Sequence, residues 1–119
     1  MHVQMNPLLV LMMAGTYCGS NKPYIQDMTV TFRTQYFVQN NTMLDATVKM
    51  PLDKITCINQ LYNMTPNGEI MLLDDCVEKN LKKHHVELSG VYYNEEDNDI
   101  IIKTNVGDMK LPFCAMNMS

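Results

Sequence analysis

The sequence predicts an all-β domain, an antiparallel meander of short strands curling toward a barrel. Three observations predict it. Apolar and polar residues alternate over several stretches, turn-forming residues separate those stretches at close intervals, and no stretch carries a capped helical period. The chain of 119 residues has room for one domain.

The first element is not a strand. Pro7, Leu8, Leu9, Val10, Leu11, Met12, Met13 and Ala14 form an unbroken apolar run, and the small residues Gly15 and Thr16 follow it. A bilayer span needs about 20 apolar residues, so this run is too short to cross one. It has the form of an export leader followed by a cleavage region. Its one departure is a leading segment that carries His2 but no Lys or Arg. The expectation is a leader over residues 1–17, cleaved between Ala14 and Tyr17 so that Cys18 is kept. The mature domain is then 18–119, secreted and without a membrane span, since no second long apolar run occurs. Three Asn-x-Ser/Thr triplets begin at Asn40, Asn63 and Asn117, and they suit an exported chain. Asn40 and Asn63 are the expected glycan acceptors, because the third triplet ends the chain.

Strands follow. In the stretch 28–38, Met28, Val30, Phe32, Tyr36 and Val38 share the apolar parity, and Thr29, Thr31, Arg33 and Gln35 share the other. A period of two describes a strand with one dry face and one wet face. Residues 54–64 are rich in β-forming side chains and end at Thr65-Pro66-Asn67-Gly68, where Asn-Gly predicts a hairpin with positive φ at both residues. Residues 69–73 return as its second arm. Residues 86–93 alternate again, 94–98 form a polar turn, and 99–106 make a further strand before Gly107-Asp108. The best helical candidate, residues 74–81, is short.

Composition excludes several functions. A net charge of -4 argues against nucleic acid or an anionic membrane as the main partner, since both call for a clustered basic surface. Lys79, Lys82 and Lys83 with His84 and His85 read as a solvated loop. No phosphate-binding glycine loop and no nucleophile elbow occurs. Adjacent histidines on a strand point to opposite faces and do not converge on a metal. The acidic run Glu95, Glu96, Asp97 and Asp99 lacks the central glycine and terminal glutamate of a calcium loop. No enzyme, no metal and no cofactor is expected. The twelve methionines, in a chain without tryptophan, are side chains that adapt to irregular apolar space. Cys18, Cys57, Cys76 and Cys114 contain no Cys-x-x-Cys pair, so two disulfides are expected, with three connectivities open.

Taken in order, these features resemble the lipocalins, in particular the apolipoprotein D and insect bilin-binding branch. Cys18-Gly19-Ser20-Asn21-Lys22-Pro23 resembles that branch's lead-in. Arg33-Thr34-Gln35-Tyr36 stands where the family has Gly-x-Trp followed by Tyr, with Arg33 replacing the glycine and Gln35 the tryptophan. Cys57, Tyr62 and Asn67-Gly68 match the second strand and its hairpin. Leu88-Ser89-Gly90 followed by Ile100-Ile101-Ile102 matches the fourth and fifth strands. The tryptophan that packs across the family's closed barrel end is missing, so that end must close differently. The later motif and the last three strands are also missing. About five strands do not close an eight-stranded barrel. A truncated form, a smaller barrel, or a homodimer sharing open sheet edges is therefore expected.

The resemblance implies a carrier for a small hydrophobic molecule, such as a lipid, retinoid or pigment. The expected lining is Met28, Val30, Phe32, Tyr36 and Val38 on the first strand, Ile58, Gln60 and Tyr62 on the second, and Val86, Leu88 and Tyr92 on the fourth. Gln60 and Tyr62 would be its polar anchors. The second-strand parity was chosen so that Cys57 faces outward, as the family's disulfide requires. The resemblance also pairs Cys18 with Cys114 and leaves Cys76 for Cys57. The competing expectation is a solid β core acting through surface loops on a partner protein, as an interaction protein or an inhibitor. A continuous apolar cavity of roughly 300 Å³ or more would favour the carrier.

Overall fold

A computed structural model describes residues 13–33 and 42–115. It has eight strands: β1 (Gly15–Asn21), β2 (Ile25–Phe32), β3 (Thr42–Met50), β4 (Asp53–Met64), β5 (Ile70–Leu72), β6 (Leu88–Asn94), β7 (Asp99–Thr104) and β8 (Gly107–Ala115). One helix, α1 (Cys76–Lys82), joins β5 to β6. The strand order is β5-β4-β3-β2-β1-β8-β7-β6, every pair antiparallel. This is an up-and-down meander whose first and last strands pair, bent into a nearly closed barrel.

The all-β meander is as expected, but eight strands replace the five. Three strands were not anticipated. β1 lies where the leader and lead-in were read. β3 buries Thr42, Leu44, Ala46, Val48 and Met50 at every second position, with Asp45, Thr47 and Lys49 on its other face. β8 buries only Met109 and Leu111 and is interrupted by Pro112. The sheet therefore reaches the strand number of a closed barrel without further chain.

One seam stays unsealed, between β5 and β6. At one end of it the Tyr93 amide donates to the Gly68 carbonyl at 2.8 Å, and Glu69 bridges to Tyr92. Gly68 is needed there. Its φ is +89°, and a Cβ would stand 2.7 Å from the Tyr93 carbonyl oxygen. Of the Asn-Gly pair, only Gly68 has positive φ, so the turn is not the two-residue type anticipated. Beyond this knot no ladder joins Ile70–Leu72 to β6.

Two bulges reset which side chains face inward. In β4, Ala46 pairs with Cys57 but Leu44 with Gln60, so Ile58 and Asn59 together oppose Asp45. Asn59 takes φ 60°, its amide donates to Asp45 Oδ1 at 2.9 Å, and the Arg33 guanidinium donates to the same oxygen at 3.0 Å. In β6 the register shifts between Leu88 and Gly90. The core is one contiguous cluster inside the barrel. Cys18 is joined to Cys114 across β1 and β8, and Cys57 to Cys76 between β4 and the start of α1, both as the resemblance implies.

Candidate functional site

The two barrel ends are closed by different chemistry. At the end holding the β4–β5 and β6–β7 turns, aromatic rings fill the interior. Tyr17 meets Phe32, Phe113 and Tyr93 edge-on at 5.7, 5.6 and 6.4 Å between centroids, and Phe32 meets Tyr62 at 5.4 Å. These pairings use the opposed edge and face charges of the rings. They close this end of the barrel without a tryptophan, of which the chain has none.

The phenols at this end differ. The Tyr17 hydroxyl lies 2.8 Å from the Met13 carbonyl and 2.9 Å from Asn98 Oδ1, and Tyr93 donates to that same Oδ1 at 2.9 Å. Burial, chiefly, pushes the Tyr17 and Tyr93 phenols above their ordinary pKa. Burial also pushes Tyr62 up to about 12, with Thr42 pulling weakly the other way. The Thr42 hydroxyl donates to the Tyr62 carbonyl at 2.8 Å, and among the described residues no group stands in hydrogen-bond geometry to the phenol itself. Nearby, buried Asp99 sits 3.4 Å from the Lys110 amine.

The other end is covered by α1, which lays Val77 and Leu81 into the barrel mouth. Several ties on the helix come from β4, and the turn after it is held by Asn105, between β7 and β8, whose side-chain amide donates to the His85 carbonyl at 3.0 Å. The Cys57–Cys76 disulfide holds its start. The Gln60 side-chain amide donates to the Asp74 carbonyl at 3.0 Å, and its oxygen accepts from the Val77 amide at 3.4 Å. Asp74 in turn accepts from Cys76 and Leu61, both at 3.2 Å. Past the helix, His84 Nε2 is 2.7 Å from Asp53 Oδ2. That bond from His84, with the Lys54 amide, holds the Asp53 carboxyl below its usual range.

Between plug and lid lies a crevice with wholly apolar walls. β2 supplies Met28, Val30 and Phe32, and β3 supplies Leu44 and Ala46. β7 adds Ile100 and Ile102, and the seam side adds Leu72, Val77, Leu88 and Val91. Its free volume is about 20 Å³, near that of a single water molecule and far below the roughly 300 Å³ that would favour a carrier. Met71 and Leu73 stand exposed on the seam's outer rim.

Met28, Val30, Phe32 and Leu88 therefore line the interior as expected. Val86 is buried, in the connection before β6. Gln60 and Tyr62 are buried inward too, but Gln60 is spent on the lid and Tyr62 belongs to the plug. Two expected lining residues do not line it. Ile58 is 61% exposed, because the β4 bulge turns it out and turns Cys57 in, so Cys57 does not face outward as assumed. Tyr92 lies on the outer face with the Lys103 amine 5.5 Å from its ring centre, because the β6 bulge hands the inward parity to Val91 and Tyr93. Tyr36, Val38 and Asn40 fall outside the described residues. Asn63 is half-buried on β4 opposite Met71.

The lining from β3, β7 and α1 was missed. Leu44, Ala46 and the Ile100–Ile102 alternation were visible as apolar parity, whereas Val77 carries no signal without the helix in place. Among the described residues no three His, Cys, Asp or Glu side chains gather into a metal site, and no helix is long and apolar enough to cross a membrane. No family model, no curated protein and no solved structure matches this chain.

Proposed function

We propose that the protein binds and carries a small, uncharged or weakly polar hydrophobic molecule, without covalent chemistry, inside its barrel. The observation that carries this reading is the crevice at the seam. A barrel whose walls are otherwise paired leaves one edge open, and directly beneath that edge every lining group is apolar. Apolar side chains also rim the opening, as a route for an apolar solute would require. The resemblance to lipocalins noted from the sequence agrees with it. With about 20 Å³ free, a ligand must push Leu72 and Leu88 aside and lift α1 from β4. Export is part of the same proposal, with cleavage at the early edge of the expected window, near Ala14, because Tyr17 is packed in the barrel core. The disulfides and the Asn63 triplet suit it.

The same small volume favours the second reading, a solid-core protein that acts through its surface. Titration of the disulfide-intact protein with a fluorescent apolar probe, a polyene fatty acid or retinol, separates the two. Carriage predicts saturable binding near one probe per chain, lost when Leu88→Trp or Val91→Trp fills the crevice. Native protein that shows no saturable probe binding removes the carrier reading and leaves the second.

A further inference from the structure

We propose that the helix-covered end of the barrel docks on the surface of an anionic phospholipid bilayer, through the tips of the β1–β2 and β3–β4 hairpins. Leu52, in the two-residue turn between β3 and β4, is 98% exposed. Tyr24, in the β1–β2 turn, is 49% exposed. Single exposed apolar residues are common on any surface. These two are not separate. β2 and β3 pair with Asp27 opposite Lys49, and continuing that register brings Tyr24 level with Leu52. Two neighbouring tips thus present a leucine and a tyrosine, an apolar wedge and an amphipathic ring suited to the headgroup level.

The charges around the tips point to the same partner. Lys49 and Lys54 stand directly opposite each other at the neck of the β3–β4 hairpin. Like charges in that position weaken a sheet. Among the described residues neither lysine is in an ion pair, not even Lys49 with Asp27 on its other flank. Lys22 lies beside Tyr24 in the adjacent turn, and the one carboxylate next to Leu52, Asp53, is held by His84. An anionic surface outside the protein supplies what these lysines lack.

The whole molecule is polarised to match. The aromatic end carries Arg33 and Lys110 against Asp45, Glu69, Glu95, Glu96, Asp97 and Asp99, which accounts for the entire net charge of -4. The helix end is balanced. Such a charge separation turns the helix end toward a negative surface and the acidic end away from it. The low pI that argued against a membrane partner thus belongs to one end of the barrel. The inference holds whether or not the crevice takes a ligand.

Flotation of the disulfide-intact protein with phosphatidylcholine–phosphatidylserine vesicles at low ionic strength tests it. The wild type is expected to float with the vesicles, less so as salt rises or phosphatidylserine is omitted. Leu52→Asp should weaken partitioning by roughly tenfold or more, since it removes one inserted leucine. Lys49→Gln with Lys54→Gln should abolish the preference for phosphatidylserine. Ile58→Asp, the same kind of change on the barrel wall, should leave flotation unchanged. The four altered residues are exposed, and circular dichroism checks that the variants fold. Wild type that stays with the bulk solution overturns the proposal. So does Leu52→Asp that floats as well as wild type, loss caused equally by Ile58→Asp, or a wild-type dimer that Leu52→Asp makes monomeric.

Discussion

The aromatic end and the helix end close the same barrel in opposite ways. The aromatic end is closed by side chains of the strands themselves, packed ring against ring and hydrogen-bonded through Tyr17, Tyr93 and Asn98. The helix end is closed by an added part, α1, which is joined to β4 by a disulfide and hydrogen bonds and followed by a turn held by Asn105. A plug built from barrel side chains cannot leave without unfolding the barrel. A lid held by side chains and one disulfide, outside the strand ladders, can lift while the sheet stays intact. The difference marks the seam and lid as the part free to serve a ligand, and the plug as the part that keeps the fold.

The largest expected effect breaks the plug. Tyr17→Ala should cost about 3–5 kcal/mol in denaturant unfolding, as loss of a large core side chain does. A chain begun at Cys18 should lose as much, since it lacks the same ring. An equal loss from Leu81→Ala in the lid would erase the contrast between the ends. Next in size, replacing both Cys57 and Cys76 by serine should cost about 3 kcal/mol, the entropy of closing a loop of this length. Hydrogen exchange should then speed up in α1 first, with β1 and β8 unchanged. Uniform loss of protection would show that the lid and barrel unfold as one unit.

Smaller and opposite in sign are two deletions of one hydroxyl. Tyr17→Phe removes a bonded phenol and should destabilise by about 1 kcal/mol. Tyr62→Phe removes one that is buried without a partner and should be neutral or stabilising by up to about 1 kcal/mol. The Tyr62 phenol is raised to about 12, so it favours the fold up to its unfolded value near 10 and withdraws that support as pH climbs through 12. Tyr62→Phe should therefore shift alkaline unfolding to higher pH. The smallest effect is at Asp53. Its carboxyl is depressed in the fold, so its stabilisation is present above its unfolded value and lost as pH falls through the folded one. Amide exchange at the end of α1 should rise on that acid side in wild type, and not in Asp53→Asn.

Much of the fold was legible because period-two alternation reports a one-sided strand directly. β2 and β6 are read from it, β4 from its β-forming side chains before the Asn-Gly turn, and β7 from its place between two turns. β3 was not read, although Leu44, Ala46, Val48 and Met50 alternate with Asp45, Thr47 and Lys49, and β1 was hidden behind an apolar run that reads as a leader. The site was legible only in part. Met28, Val30, Phe32 and Leu88 follow from parity counted along an uninterrupted strand. Ile58 and Tyr92 were misplaced because each lies past a bulge, and one extra residue reverses every later side chain. Asn59 in the left-handed region and Gly90 were the available signs.

The amino-acid sequence alone determined the all-β class and the apolar strand faces, since local pattern sets which face a strand buries. The residues alone left three disulfide connectivities open, and the pairing of Cys18 with Cys114 and of Cys57 with Cys76 was an expectation from the resemblance that the structure matches. Only the tertiary structure decided that eight strands nearly close, that Gln60 serves the lid, and that Leu52 and Tyr24 share one rim. Those outcomes depend on register between strands distant in sequence, and register is fixed by the whole barrel closing on itself.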